Sequence, residues 1–229
     1  MRRLALFGLL ALALSACSQE TTSADPAPPT TSATAVEAAV FVIPDDFPLS
    51  DGMASEAYDD ITVSAQSVGM RALDFCGRKP LRGLDPTDRL VAEASGPEYA
   101  GTRDLMVFAD AGPPTALVAD IRAAATACPA ERLGPVSRLL TEVHDSSVAS
   151  AAVTVVHTYE TDGEVGVGAE IIEVVQVGRA LLVTSTYSEW DPGLNLDEAI
   201  TEEAARLEET VDAMSAFRNE PESPTVPES

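Results

Sequence analysis

The middle of the chain repeats its hydrophobic residues at the spacing of one helical face. Steps of four, three and four predict a helix that buries these residues together; they are Leu117, Ile121, Ala124 and Cys128. Pro113 and Pro114 suit the first turn of this helix, and Pro129 ends it. A second helix is predicted from about 197 to 217, with its acidic residues outward; its inward stripe is Ile200, Ala204, Leu207, Val211 and Met214.

Three β-rich runs lie between these helices, separated by short turn sequences. The turns are Thr161-Asp162-Gly163 and Gly178-Arg179, whose residues favour tight hairpins and predict an antiparallel meander. The runs are 152–160, 169–177 and 180–187, and runs of the same character occur earlier at 61–65, 89–94 and 104–109. The pattern predicts an α+β fold, a multi-stranded antiparallel sheet with helices packed on one face.

The start of the chain has the pattern of an export signal. Two arginines precede an apolar stretch, 4–14, which is too short to cross a bilayer. The segment Leu14-Ser15-Ala16-Cys17 resembles the bacterial lipobox, in which a peptidase cuts before a cysteine that carries diacylglycerol. We therefore expect a signal peptide at 1–16 and a lipid-modified Cys17 that carries fatty acids such as palmitate. Several acyl chains would anchor the protein firmly to the outer face of the cytoplasmic membrane.

Composition changes sharply on either side of the hydrophobic body. Residues 17–38 are mostly Thr, Ser, Ala and Pro, which predicts a disordered tether, and 219–229 are rich in Pro and Glu, which predicts a disordered tail. Between them, 39–218 has the length and hydrophobic content of a single domain. We expect this domain to be a single α+β unit.

The charge balance excludes several classes of partner. After removal of 1–16 the chain keeps 12 basic and 37 acidic side chains, a net charge of −25. Nucleic acids and anionic lipid headgroups are themselves negative, so neither is an expected partner. A solvated acidic surface accounts for the charge, and the alternative is a site for cations or basic peptides. No Asp-x-Asp-x-Asp-Gly calcium loop occurs, and no metal site is expected.

The remaining cysteines form an even pair. With Cys17 assigned to lipid, Cys76 and Cys128 are expected to form a disulfide in an oxidising compartment. The bond would close a loop of 52 residues, for which the chain-entropy model gives about 4 kcal/mol of stabilisation. A nucleophilic cysteine would instead need a histidine partner, and the chain has only His144 and His157.

No known catalytic or cofactor motif occurs in the chain. It lacks a Gly-x-Ser-x-Gly elbow, a His-Glu-x-x-His zinc motif, a P-loop and a dinucleotide-binding glycine turn. Gly163, Gly166 and Gly168 have the wrong spacing for such a turn and lie between two predicted strands. We therefore expect neither a cofactor nor a contiguous catalytic site.

Four residues are candidates for ligand contact. His157 alternates with hydrophobic residues of its strand, which fits a hydrogen-bonded core histidine or a site residue. Tyr187 and Trp190 lie beside acidic residues at the end of the last strand, and such rings with acids suit cationic or sugar-like ligands. The alternative for Trp190 is a place at the core edge. Arg103, at the entrance of a strand, fits a structural ion pair or a ligand contact.

Three short segments together suggest a family. They are Phe47-Pro48-Leu49, Leu105-Met106-Val107-Phe108 before a helix that ends at Cys128-Pro129, and Val177-Gly178-Arg179 before an apolar strand. In these the chain resembles actinobacterial lipoproteins similar to the extracellular sensor domain of the mycobacterial serine/threonine kinase H, the PknH-like extracellular domain superfamily. The resemblance implies a sheet packed against helices, a cleft for an unidentified extracellular ligand and no catalytic apparatus.

The chain also departs from that family. The kinase domain is understood to carry two disulfides, whereas only Cys76 and Cys128 are left to pair here. No kinase domain or transmembrane helix is expected to accompany this domain, so direct signalling to the cytoplasm is not implied.

Three hypotheses for function follow. The first is a lipid-anchored, non-enzymatic binding or sensor-like module that captures a small molecule or an envelope protein outside the cytoplasmic membrane. The second is an envelope enzyme, such as a hydrolase, with a non-contiguous site built from His157, Glu173 and Tyr187. The third is an envelope interaction adaptor that docks on a larger complex through its acidic helix.

Overall fold

An eight-stranded sheet dominates the computed structural model, which describes residues 41–53, 60–96, 99–188 and 195–218. The strands are β1 Asp60–Ser64, β2 Asp88–Gly96, β3 Tyr99–Val107, β4 Ala130–Arg132, β5 Ser137–Asp145, β6 Ala152–Thr161, β7 Glu164–Val177 and β8 Ala180–Ser188. The helices are α1 Gly112–Thr126, α2 Leu196–Arg206 and α3 Glu208–Ala213, with short 3-10 helices at Gly69–Ala72 and Met214–Phe217. The predicted α+β class is confirmed.

The strand order is β1-β2-β3-β8-β7-β6-β5-β4, and each neighbouring pair is antiparallel. Pairing of β3 with β8 joins the N-terminal strands to the C-terminal meander. From β3 in the middle of the sheet, α1 carries the chain to β4 at the far edge. The predicted signal peptide at 1–16, tether at 17–38 and tail at 219–229 lie outside the described residues. Among those described, no helix is long and apolar enough to cross a membrane.

Both predicted turns of the meander form. In the β6–β7 turn, Asp162 and Gly163 have φ of 55° and 86°, the left-handed pair that a two-residue hairpin needs. In the β7–β8 turn, Gly178 has φ of 58°, and a Cβ there would lie 2.2 Å from the carbonyl oxygen of Phe217. Glycine is therefore required for the C-terminal 3-10 helix to pack on this turn.

The helices cover both faces of the sheet, whereas the sequence pattern predicts that they pack on one face. On the first face, α1 packs through residues such as Ile121 against Val155 and Val174. On the second face, the C-terminal helices and residues 41–53 pack against a separate cluster that includes Leu182 and Val175. The division arises because β7 and β8 are hydrophobic at successive positions, so alternate residues need cover on opposite sides.

The predicted second helix is broken at Leu207. Asn195 caps the start of α2 by accepting a hydrogen bond from the backbone N–H of Asp197. The carbonyl of Arg206 at the other end accepts a hydrogen bond from the side chain of Arg103. Because a side chain satisfies this carbonyl, the helix can stop there, and α3 begins after the buried Leu207.

The Cys76–Cys128 disulfide is present, with 5.8 Å between the two Cα atoms. Cys76 is exposed, whereas Cys128 lies buried two residues beyond α1, as predicted. The bond ties α1 to the loop that carries the buried ring of Phe75. Two strands, β4 and β5, had not been predicted, and they form the edge of the sheet that follows α1.

A buried ion pair holds the loop before the first 3-10 helix to the sheet. Both nitrogens Nε and Nη2 of Arg89 donate to Asp104, at 2.9 and 2.7 Å, and the two side chains are almost fully buried. Asp104 also accepts from the backbone N–H of Met70. Arg89 donates to the backbone carbonyls of Ser67 and Val68 as well, so the pair satisfies backbone groups of this loop.

Candidate ligand-binding site

The structure brings two of the predicted site residues together at one end of the face that α1 covers. His157 of β6 lies directly opposite Glu170 of β7, which lies directly opposite Tyr187 of β8. Thr141 of β5 extends this row beyond His157. We call this row, together with Ser185 and Tyr159, the polar sheet face.

A short chain of hydrogen bonds runs through the polar sheet face. His157 Nδ1 lies 2.9 Å from Glu170 Oε2, and the hydroxyl of Ser185 donates to Glu170 Oε1. The rings of Phe75 and His157 make a T-shaped contact, at a centroid distance of 5.8 Å. His157 is therefore held in place by a carboxylate and by an aromatic ring.

Two tyrosines form a partly exposed corner beside this carboxylate. The rings of Tyr159 and Tyr187 stand 6.3 Å apart between centroids and are almost perpendicular, at 79°. Tyr159 is 37% exposed and Tyr187 is half-buried. Both rings are thus accessible to a solute from outside.

Glu170 has a lowered pKa, which favours its ionised form. Burial by itself raises the pKa of Glu170, but the hydrogen bonds from His157 and Ser185 and the electrostatic interaction with His157 together outweigh burial. Burial, followed by the nearby charge of Glu170, raises the pKa of Tyr159. The site therefore presents a carboxylate beside the neutral phenol of Tyr159.

The polar sheet face does not pair a serine or cysteine nucleophile with His157 in this structure. The hydroxyl of Ser185 donates to Glu170 rather than to His157, so the imidazole cannot serve as its base. Cys76 and Cys128 are bonded to each other. Two buried atoms of the face, Thr141 Oγ1 and His157 Nε2, have no hydrogen-bond partner among the described residues.

Comparison with known proteins gives a structural neighbour. No family model matches the chain, and no curated protein matches it. The chain is similar in structure to the extracellular domain of PknH from Mycobacterium tuberculosis, at a TM-score of 0.45 and 13% identity, over 74% of this chain and 92% of that one. A protein from Mycobacterium smegmatis, the Rv0999 ortholog, is similar at a TM-score of 0.32 and 14% identity, over 56% and 64% of the two chains.

Arg103 lies on the opposite face and connects parts of the fold. Its guanidinium is buried and donates to the carbonyls of Leu49, Asp51 and Arg206 and to the hydroxyl of Thr210. Burial lowers the pKa of Arg103, and nearby acidic groups oppose that shift. Arg103 therefore holds the N-terminal segment and the α2–α3 junction on the sheet.

Glu173 also lies on this opposite face, three residues after Glu170 on the same strand. Because side chains alternate along a strand, Glu173 cannot join His157 and Tyr187 in one site. The site proposed from the sequence for an enzyme, built from these three residues, is therefore wrong. Trp190 and Cys17 lie outside the described residues.

Glu173 is a buried carboxyl group with only hydroxyl partners among the described residues. Thr154 and Ser146 donate to it at 2.8 and 2.9 Å. Burial raises its pKa to about 7, although both hydrogen bonds lower it, and Glu203 adds a small increase. The carboxyl group therefore holds its proton in the folded protein at pH values where it is ionised in the unfolded chain.

This shift predicts that stability depends on pH. The folded pKa is about 7 against 4.5 for a free group, so the folded state binds the proton more tightly. Its contribution to the free energy of unfolding is largest below pH 4.5 and is lost as pH rises to about 7, by roughly 3 kcal/mol. Urea unfolding of the wild type and of Glu173→Gln, measured across this range, should show a slope in the wild type that the variant lacks.

The matched control for this prediction is Glu142→Gln, which removes a carboxylate whose side chain is 62% exposed. Its pH profile should follow the wild type. Equal slopes in the wild type and Glu173→Gln would assign the pH dependence to the general acidity of the chain and contradict this account.

Acidic grooves flank the α2–α3 junction. One has a volume of about 370 Å³ between Val148 of the β5–β6 loop and the helices, and the other has about 440 Å³ beside Asp51. Glu208 and Asp212 line both grooves. These grooves are the part of the acidic helix surface to which the adaptor hypothesis would assign a partner.

Proposed function

We propose that the protein is a lipid-anchored, extracytoplasmic module that binds a small molecule at the polar sheet face and has no catalytic activity. The observation that carries this proposal is the conjunction of an ionised, hydrogen-bonded Glu170 with the exposed corner of Tyr159 and Tyr187. A few fixed polar groups beside aromatic rings are typical of small-molecule sites.

Two features support an extracytoplasmic place of action. The export signal and Cys17 predict lipid attachment. The Cys76–Cys128 disulfide suits an oxidising compartment, because cytoplasmic reductants keep most thiols reduced. Neither a nucleophile paired with His157 nor a free cysteine occurs among the described residues, which favours binding over catalysis.

Native mass spectrometry tests ligand capture. The full chain, purified after exposure to an extract of envelope small molecules, should retain a species that is released under denaturing conditions. Tyr187→Leu should lose this species and Tyr187→Phe should keep it, because only the ring is needed. Co-purification of a protein, with no small molecule retained, would support the adaptor hypothesis instead. Chemical conversion of an extract component would support an enzyme.

Lipid attachment is tested separately. When cells that produce the full chain are grown with an alkynyl palmitate analogue, the wild-type protein should become labelled. Cys17→Ser should abolish the label, because the thiol is its point of attachment. Cys76→Ser should stay labelled. Equal labelling of the wild type and Cys17→Ser would refute lipid attachment at this residue.

A further inference from the structure

We propose that the ligand of the polar sheet face is a small organic cation, an ammonium group bearing methyl or alkyl substituents. This inference rests on the proposed function and names the chemical class that its site takes. Two walls of the site carry it, an aromatic corner and a carboxylate, together with the buried histidine behind them.

The aromatic corner favours a rounded ligand over a flat one. Tyr159 and Tyr187 stand almost perpendicular, at 79°, with their centroids 6.3 Å apart. A sugar ring stacks best on one flat aromatic face, whereas a compact cation can contact two rings that meet at an angle. The negative faces of both rings attract positive charge, and their hydrocarbon surface accommodates methyl groups.

The carboxylate of Glu170 supplies the opposite charge and has acceptor positions left for a ligand. Each oxygen of Glu170 accepts one hydrogen bond, from His157 and from Ser185. An ionised carboxylate has about four acceptor positions, so capacity remains for a ligand. Its side chain is 24% exposed, so a solute can approach it. Among the described residues, no arginine or lysine forms an ion pair with Glu170.

His157 acts as a positioning residue in this arrangement. Its side chain is only 4% exposed, and its Nδ1 fixes one oxygen of Glu170. Its other nitrogen, Nε2, is buried without a partner among the described residues. The strongly acidic chain adds a general attraction for cations.

The test compares a cation with its neutral isostere. Choline and 3,3-dimethylbutan-1-ol have the same shape, and only choline is charged. Amide NMR spectra of the full chain should shift at Glu170 and Tyr187 with choline at millimolar concentration and stay unchanged with the neutral alcohol. Tyr187→Leu and Glu170→Gln should each weaken choline binding about tenfold, in the range of one cation–π or charge contact. Glu142→Gln, which lies outside the polar sheet face, should bind as the wild type does.

The outcomes separate this inference from the proposed function. Equal shifts with both compounds, or none with choline, would overturn the cationic ligand. If an extract component is nevertheless captured and lost in Tyr187→Leu, the binding function stands with a ligand of another class. If choline shifts appear but lie at Glu208 and Asp212, the cation binds the acidic groove and the inference fails at this site.

Discussion

Replacing Asp104 by alanine is expected to lower the free energy of unfolding by about 3–5 kcal/mol. The variant leaves the guanidinium of Arg89 buried without its carboxylate, and loss of one partner from a buried ion pair has a cost of this size. The backbone N–H of Met70 loses its acceptor as well. Urea unfolding, followed by circular dichroism, measures the loss.

Two controls fix the cause of this loss. Asp145→Ala removes the exposed partner of Arg122, a surface pair that contributes less than about 1 kcal/mol. Arg89→Met combined with Asp104→Leu removes both charges and should recover part of the loss, because no unpaired charge stays buried. An Asp104→Ala variant as stable as Asp145→Ala would show that the pair does not hold the fold.

Removing the disulfide is expected to lower the free energy of unfolding by about 4 kcal/mol. The bond closes a loop of 52 residues and so limits the conformational entropy of the unfolded chain. Breaking the bond restores this entropy and favours unfolding. The variant should combine Cys76→Ser with Cys128→Ala, because Cys76 is exposed and Cys128 is buried in the core. Urea unfolding with and without a reductant measures the effect.

The reductant provides the internal control. It should destabilise the wild type by the same amount and leave the double variant unchanged, because the variant has no bond to reduce. A wild type whose unfolding does not respond to complete reduction would contradict the predicted contribution of the disulfide.

The local geometry of the meander could be predicted, but its register only in part. The Gly178-Arg179 turn fixes Val177 opposite Ala180, and counting back along both strands from there places Glu170 opposite Tyr187. The Asp162-Gly163 turn gives no such count, because the register shifts between Thr158 and Glu160. This irregularity moves His157 two positions along β7 to face Glu170. Gly168, with φ of 90°, lies at the irregularity, but a glycine in a strand does not reveal the size of a register shift. Glu170 and Ser185 were missed as site residues, although counting from the Gly178-Arg179 turn places Glu170 opposite Tyr187.

The helices show a second limit of periodicity. A stripe at helical spacing predicts that a helix has a buried face, and α1 follows that prediction closely. It does not say which side of the sheet receives that face. The end of α2 likewise depends on Arg103, about a hundred residues earlier in the chain, which donates to the carbonyl of Arg206. A contact of this range lies outside any local sequence pattern.

The most direct test of the account maps where a ligand binds. Amide NMR spectra of the full chain, recorded with fractions of an envelope small-molecule extract, report on both faces of the sheet at once. The account predicts that an active fraction shifts residues of the polar sheet face, with the largest changes at Glu170, Ser185 and Tyr187. Shifts confined to the acidic grooves at Glu208 and Asp212, with the polar sheet face unchanged, would contradict it.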